Sequence, residues 1–239
     1  MTISMKDWVA YRDTLHRLSE KASNEMLKWI QSKGGYAAVD RDEMIAYAYA
    51  LATKYGEASA ALAADMYDAV ARLSKATVPE AVVADTMSYG EVAKAMNGVV
   101  KFSEDAEYIS KVVGRFVKQT SQDTTLKNAL RDGAEFAWIP AGDTCAFCLT
   151  LASRGWQRAS KKAIKGGHAE HIHANCDCAY EIRFDSKTTV AGYDPDEYKK
   201  MYYDAEGRTP QEKINSMRRE AYAADKKTEG TDNSELIHV

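Results

Sequence analysis

The sequence predicts a mainly α-helical chain that ends in a small α+β region clasped by zinc. Two observations give this fold class. Residues 1–132 contain one proline and repeat apolar residues at the spacing of amphipathic helices, in a bundle or as extended helices. All four cysteines and three of the five histidines then fall within residues 143–184, and clustered Cys and His side chains are the usual ligands of a structural zinc ion.

Composition and charge exclude several classes of protein. With 239 residues, of which 45% are hydrophobic and 28% charged, the chain can bury a core of its own. Its net charge of −3 gives no overall attraction to nucleic acid or anionic lipid. No apolar run approaches the roughly 18 residues of a membrane span, and the polar N-terminus has no apolar signal core. We therefore expect a reducing cytosol, where clustered cysteines bind metal more often than they form disulfides.

Characteristic residues mark the end of the first predicted helix and the start of the second. An apolar stripe should run along the first helix until Gly34 and Gly35 end it. Asp40 and Glu43 form a capping-box pattern that starts the second helix, in which Gly56 is expected to mark a bend. We interpret the stripe as bundle core or as a face for a partner helix rather than as a cofactor site. It consists of Trp8, Tyr11, Leu15, Leu18, Ala22 and Trp29.

Two further helices complete residues 1–132. The third is predicted to start at residues 77–80, because proline is tolerated in a first turn, and to end near Asn97 and Gly98. The fourth should open at residues 103–105, where acidic side chains favour the positive end of the helix dipole. Its apolar face would use Tyr108, Val112 and Phe116.

The second region, residues 133–225, is expected to mix strands with helices. Residues 134–139 have the composition of a strand that Pro140 stops, and residues 156–159 and 178–184 are predicted to form two more strands.

Two helices should close this region. Each is predicted to begin where a capping residue precedes proline, at residues 194–195 and 209–210. Residues 226–239 form a polar tail that we expect to be disordered or to order on a partner.

The cysteines and histidines form two short ligand groups joined by a loop. Cys145 and Cys148 make a C-x2-C pair, and an H-x2-C-x-C group follows with His173, Cys176 and Cys178. A tetrahedral zinc ion takes four donors, so a four-thiolate site and a site of three thiolates plus His173 are both open. We favour the second, because H-x2-C repeats the spacing of the first pair, and we expect the zinc to be structural.

A catalytic zinc is the main alternative. Such a zinc keeps one position open for water and has a carboxylate nearby as general base. His168, Glu170 and His171 could serve a zinc-dependent hydrolase or nuclease in this way. Their spacing, however, matches neither the H-E-x-x-H helix of metalloproteases nor the motif order of zinc deaminases. We therefore predict that the chain is not an enzyme.

A basic loop between the two ligand groups gives a third hypothesis. It contains five basic side chains and one tryptophan, which could contact phosphates and stack on a base. We favour the simpler interpretation of a solvated loop whose charges balance the acidic helices. The candidate nucleic-acid contacts are Arg154, Trp156, Arg158, Lys161, Lys162 and Lys165.

The region around the cysteines resembles a known family. The runs W-I-P, D-T-C-A-F-C-L, L-A-S-R-G and H-A-N-C-D-C, which begin at residues 138, 143, 151 and 173, are similar to minor capsid proteins of tailed bacteriophages. These are the proteins like the Mu F head-morphogenesis protein, especially those from phages of Gram-positive hosts. The resemblance covers about residues 133–205.

The resemblance implies a non-enzymatic minor head component of the virion, assembled in the bacterial cytoplasm. It implies an oligomeric context, with the portal or the major capsid protein as partners and packaged DNA as a further one. A zinc ion bound by the cysteine motif would have a structural role.

The ligand assignment predicts a ranking of histidine variants. His173→Ala should weaken zinc binding more than His168→Ala or His171→Ala does, because losing a direct ligand exposes the metal to water and chelators. Competition with a chromogenic chelator measures the three affinities. A larger effect at His168 or His171 would reverse the assignment, and negligible effects at all three positions would favour four thiolates.

Overall fold

The computed structural model describes residues 2–3, 5–140, 145–161 and 178–220. Within these residues the chain is mainly helical, as predicted. The helices are α1 (Met5–Ser32), α2 (Arg41–Leu73), α3 (Tyr89–Val99), α4 (Ala106–Asp132), α5 (Ala146–Ala152) and α6 (Pro195–Asp204), with a 3-10 turn at Tyr36–Ala38 and a further helical run, α7, over residues 210–220.

The strands are short and form two small sheets. They are β1 (Thr2–Ile3), β2 (Glu135–Ile139), β3 (Gln157–Arg158), β4 (Ala179–Arg183) and β5 (Thr189–Val190). The main sheet has the order β3-β2-β4 with antiparallel neighbours, while β1 pairs with β5 in parallel. The first residues of the chain are therefore tied to the segment that follows β4.

The apolar stripe of α1 packs inside this chain. Trp8, Tyr11 and Leu15 are buried in one hydrophobic cluster together with residues of the main sheet. Further along the helix, Ala22 is buried in a second cluster with residues of α2, α3 and α4. The helices α1, α2 and α4 all contact one another, so they form a bundle rather than separate extended helices.

Two glycines allow the bundle helices to approach closely. A Cβ on Gly114 of α4 would lie 2.9 Å from the carbonyl oxygen of Ser19, whose hydroxyl donates a hydrogen bond to the Gly114 carbonyl. A Cβ on Gly56 would lie 3.0 Å from Thr86 and 3.1 Å from the hydroxyl of Thr120. The helix α2 continues through Gly56 without a break, so this glycine provides space for its neighbours rather than the predicted bend.

The prediction for the third helix was wrong at its start. Residues 76–88, which we call the strap, have no regular secondary structure, and α3 begins only at Tyr89. A capping box of Ser88 and Glu91 fixes this start. Val82 and Ala84 bond to two α4 side chains that lie one helical turn apart, at a distance of about 5–6 Å. Two residues of extended chain span a similar distance, so the strap matches the spacing of its partners.

Side chains of α2 and α4 hold the strap. The amide of Asn128 accepts a hydrogen bond from the Val82 N–H at 2.9 Å and donates one to the Val82 carbonyl at 2.8 Å. Thr124 accepts from the Ala84 N–H at 3.0 Å. Asp68, Lys127 and Arg131 bond further backbone groups of the strap. These tertiary bonds replace the helical hydrogen bonds that the local sequence would otherwise form.

The other predicted elements are present, but Tyr108 is exposed and does not join the apolar face predicted for α4, and β1 and β5 were not predicted. The strands β2, β3 and β4 lie where three strands were predicted, and the C-terminal caps are formed: Asp194 accepts from the Asp196 N–H, and Thr209 and Glu212 bond each other's backbone N–H groups. The division near residue 133 stays a prediction, although one hydrophobic cluster draws on both sides of it. The tail 226–239 lies outside the described residues.

No helix in the described part of the chain combines the length and the apolar character that a membrane span would need.

Asn128 allows a test of how the strap is held. Asn128→Ala should lower the free energy of unfolding by about 2 kcal/mol, because both backbone groups of Val82 lose their partner. Urea unfolding with unchanged m-values would measure this loss. Lys127→Ala is the matched control, because this exposed side chain makes one bond to the strap and should cost at most about 0.5 kcal/mol. Equal effects of the two variants would contradict this account of the strap.

Candidate metal centre

The register of the main sheet places the end of β2 beside the residue that follows Cys178. Ile139, the last residue of β2, pairs with Ala179, the first residue of β4. Because the strands are antiparallel, the point where the chain leaves β2 and the point where it enters β4 from Cys178 lie at the same end of the sheet. The helix α5, which starts directly after Cys145, contacts β2.

The first cysteine pair lies in the first turn of α5. Cys145 is the N-cap residue, and its Sγ accepts a hydrogen bond from the Cys148 N–H at an N to S distance of 3.5 Å. The x2 spacing makes this bond, because an N-cap side chain reaches the N–H three residues later. This bond orients the Cys145 sulfur at the start of α5.

The second half of the motif is anchored by two other elements. Gln122 of α4 donates a hydrogen bond from Nε2 to the Cys178 carbonyl at 3.5 Å. Burial raises the pKa of the Tyr198 hydroxyl in α6, and the charges of Glu197 and then of Cys178 add to this effect. Tyr198 therefore lies near Cys178. Tyr198 stacks on Tyr193 at a ring distance of 5.9 Å, and the Tyr193 hydroxyl donates to the Ala152 carbonyl in α5 at 2.9 Å. The helix α6 thus links Cys178 to the helix that carries Cys148.

The described cysteines are donors of the type that a structural zinc ion takes. Cys148 and Cys178 are 1% and 5% exposed and belong to the same hydrophobic cluster, against which the half-buried Cys145 packs. Soft thiolates in a dry surrounding are typical ligands of structural zinc. Within the described residues no three His, Cys, Asp or Glu side chains gather as a metal-binding group. Four of the residues weighed as ligands or as catalytic groups lie outside the described ranges, together with Cys176: His168, Glu170, His171 and His173.

A comparison with known families identifies the chain's relatives. The model of a family described as VG15 protein matches residues 2–205. The chain belongs to the VG15 protein family. This family is viral, which points to a phage protein. No curated protein and no solved structure matches the chain. The match covers the helical bundle, the cysteine motif and α6, and it ends before α7.

In the basic loop of this VG15 protein, the basic side chains are exposed where they are described. Arg154, Arg158 and Lys161 are exposed, whereas Lys162 and Lys165 lie outside the described residues. Trp156 is half-buried, and the Arg183 guanidinium lies 4.6 Å above its ring. The Arg183 side chain therefore covers one face of this indole. Nucleic-acid contact by these residues stays a prediction.

Sequence reasoning did not single out Glu181, a buried acid in β4. The side chain of Glu181 is 2% exposed, and one of its oxygens accepts the Ile182 N–H at 2.9 Å. The other oxygen has no hydrogen-bond partner among the described residues. Removal from water raises the pKa of Glu181 to about 8. Burial, followed by the charge of Glu181, also raises the pKa of the Tyr11 hydroxyl in α1. Glu181 lies between Tyr180 and Ile182 in a strand buried on both faces, and this burial comes from tertiary packing that no local sequence signal shows.

The raised pKa of Glu181 predicts how stability depends on pH. The folded chain holds this proton up to about pH 8, whereas the unfolded chain releases it near its ordinary pKa of about 4.3. Between these values the folded state binds more protons, so stability falls as pH rises, by up to roughly 1.4 kcal/mol per pH unit. Glu181→Gln should remove this contribution and stabilise the protein more at pH 8 than at pH 5.

Urea unfolding of both proteins at pH 5, 6.5 and 8 checks this expectation. The exposed Glu57 provides the control, and Glu57→Gln should leave the pH dependence as in the parent protein. A stability difference between the parent and Glu181→Gln that is the same at all three pH values would show that Glu181 is ionised when folded.

Proposed function

We propose that this VG15 protein is a non-enzymatic minor capsid protein of a tailed phage, associated with the portal or the inner capsid and carrying one structural zinc ion. One observation carries the proposal. The cysteine motif that resembles phage minor capsid proteins lies within the match to a viral family, and the sheet register supports it by pairing the last residue of β2, six positions before Cys145, with the residue after Cys178.

The zinc ion would be held by Cys145, Cys148 and Cys178, completed by Cys176 or His173. When bound, it supplies a tetrahedral cross-link between the start of α5 and the start of β4. The small sheet favours such a link, because β3 has two residues and β2 and β4 have five each. Strands this short make few hydrogen bonds with one another, and metal binding would add folding free energy.

The same donor set supports a structural rather than a catalytic role. A zinc ion saturated by thiolates has no open position for water, which a hydrolytic zinc requires. Burial of Cys148 and Cys178 to 1% and 5% exposure also keeps solvent away from these sulfurs. An enzyme would instead use His168, Glu170 or His171 around an open metal.

Contact with a portal or shell subunit would use a surface other than the α1 stripe. That stripe is covered by this chain's own α2, α4 and sheet. Large exposed apolar side chains remain at the turn between α3 and α4, where Phe102 is 89% exposed and Tyr108 is 47% exposed. We propose this end of the bundle as the contact with the capsid or portal.

Purified phage particles test the proposal. Quantitative mass spectrometry should find this chain in the particles at low copy number, and elemental analysis of the isolated chain should find one zinc ion. Cys145→Ser should release the zinc and abolish infectivity, because the region after residue 133 loses its cross-link. Glu170→Gln should leave infectivity intact.

Two outcomes would overturn the proposal. Absence of the chain from both mature particles and assembly precursors would exclude a capsid role. A nuclease or hydrolase activity that Glu170→Gln abolishes without loss of zinc would establish the enzyme alternative.

A further inference from the structure

Three side chains bring the otherwise buried middle of α4 to the protein surface. From Val112 to Leu126, a stretch that the structure describes in full, only Arg115, Gln119 and Asp123 are partly exposed, and all other residues are buried. The three follow one another at four-residue spacing, so their side chains form one ridge along the helix. We call these three residues the α4 ridge.

Arg115 carries a half-buried positive charge at one end of the α4 ridge. Its Nε atom has no hydrogen-bond partner among the described residues. Burial lowers the pKa of the guanidinium, and the described charge that opposes this effect is that of Tyr108, two turns earlier, rather than that of an Asp or Glu. A charge partly removed from water is unfavourable unless an opposite charge faces it, so an anion at this position would stabilise the protein.

Asp123 carries the opposite charge at the other end of the α4 ridge. Burial, followed by the negative charge of Glu91 in α3, raises the pKa of the Asp123 carboxyl to about 6, although a hydrogen bond from Gln119 acts in the opposite direction. No Lys or Arg of the described residues contributes to this balance. Near neutral pH the ridge therefore has an unmatched cation at one end and an unmatched anion at the other.

The α4 ridge is complementary to itself. Arg115 lies four residues before Gln119 and Asp123 lies four residues after it, which is about 6 Å on either side along the helix axis. A two-fold axis at Gln119 would place Arg115 of each copy opposite Asp123 of the other, as an isologous interface requires. A second copy of this chain thus supplies both missing charges at once, whereas a DNA backbone would meet the carboxylates of Asp123 and Glu91.

The surroundings of the α4 ridge fit the same arrangement. Exposed apolar side chains border it at both ends, namely Tyr108 before it and Val83 of the strap beyond it, where Lys127 bonds the Val83 carbonyl at 3.1 Å. From position 108 to position 127 the helix is about 29 Å long, close to the width of the roughly 800 Å² that each partner contributes to a standard interface. The bond to the strap also engages the ammonium of Lys127, which would otherwise face Lys111 of the other copy.

We propose that the α4 ridge is a homodimer interface in which Arg115 of each copy binds Asp123 of the other, across a two-fold axis at Gln119. The inference goes beyond the proposed function and depends neither on a zinc ion nor on a capsid. Phe102 lies outside the ridge, so a dimer would present the proposed contact with a portal or shell subunit twice.

Sedimentation velocity of the full-length protein tests the dimer. At about 50 μM, above the micromolar dissociation constant of a weak interface, the parent protein should sediment with twice the chain mass of 26.5 kDa. Arg115→Glu and Asp123→Arg should each weaken dimerisation by about 100-fold, because each places like charges opposite one another at both ends of the interface.

Lys21→Glu is the matched control for a reversed charge. Lys21 is exposed on α1 and lies about 200° around that helix from Ser19, which bonds α4, so it faces away from the α4 ridge. This variant should change the dimerisation constant by less than about twofold. A loss as large as that of Arg115→Glu would show an effect of overall charge and overturn the inference.

A mixture of the two reversed variants distinguishes contact between copies from a role within one chain. Equimolar Arg115→Glu and Asp123→Arg should form the dimer again. In the mixed pair the introduced glutamate faces the introduced arginine, and the native Arg115 of one copy faces the native Asp123 of the other. Folded variants whose mixture stays monomeric would confine the two charges to their own chain and reject the interface.

Neutral variants decide the matter if the reversed ones do not fold by circular dichroism. Arg115→Gln and Asp123→Asn keep polar side chains at both positions and should each weaken the dimer by about tenfold. Their mixture should recover part of the affinity, because one native Arg115–Asp123 pair can form. Neutral variants that dimerise as tightly as the parent protein would overturn the inference.

The remaining outcomes separate this inference from the proposed function. A parent protein that is monomeric at about 50 μM would overturn the dimer. If Arg115→Glu nevertheless lowered the copy number of the chain in phage particles, the α4 ridge would bind a capsid subunit instead of a second copy. A dimeric parent protein that is absent from particles and their precursors would overturn the capsid role and leave the dimer interface standing.

Discussion

The helix α4 buries polar side chains on two of its sides, and these side chains need hydrogen-bond partners. Most of the fold depends on this constraint. Helix α4 contacts α1, α2, α3, β2 and β4, and its central turns bury a run of polar side chains. One stripe, which includes Thr124 and Asn128, bonds the backbone of the strap. Another position, Gln122, bonds the backbone at Cys178. A buried polar side chain without a partner costs free energy, so these bonds specify which segments can pack against α4.

Small residues let α1 and α2 approach α4 closely enough for side chain to backbone hydrogen bonds between the helices. The hydroxyl of Ser59 in α2 donates to the Val117 carbonyl of α4 at 2.7 Å, and Ser19 of α1 donates to the Gly114 carbonyl at 3.1 Å. Such bonds between a side chain and a neighbouring helix need short distances between the helix axes, which larger residues would prevent. The alanine-rich α2 therefore reflects tight packing against α4 and the strap as well as helix propensity.

Sequence patterns predicted those elements whose signals are local. The Asp40 cap and the strand before Pro140 both follow from a few neighbouring residues, and each lies where it was expected. The strap could not be predicted in this way, because the partners of Val82 lie 46 positions away in α4. The clue was the presence of Thr and Asn at four-residue spacing inside a helix, where they are weak helix formers. Glu181 was missed because the alternation of apolar and polar residues in β4 places it on the polar face, and only the packing of other elements buries that face too.

The helices and the sheet stabilise each other through α1. Trp8, Tyr11 and Leu15 are 2%, 7% and 7% exposed, and they share their hydrophobic cluster with residues of β2 and β4. Burying an apolar side chain of this size contributes roughly 1.5–3 kcal/mol. Without the sheet these three residues would lose part of their cover, and without α4 the sheet would lose its main contact with the helices. A zinc ion that fixed the start of β4 would therefore also stabilise the packing of α1, although none of its predicted ligands lies in the bundle.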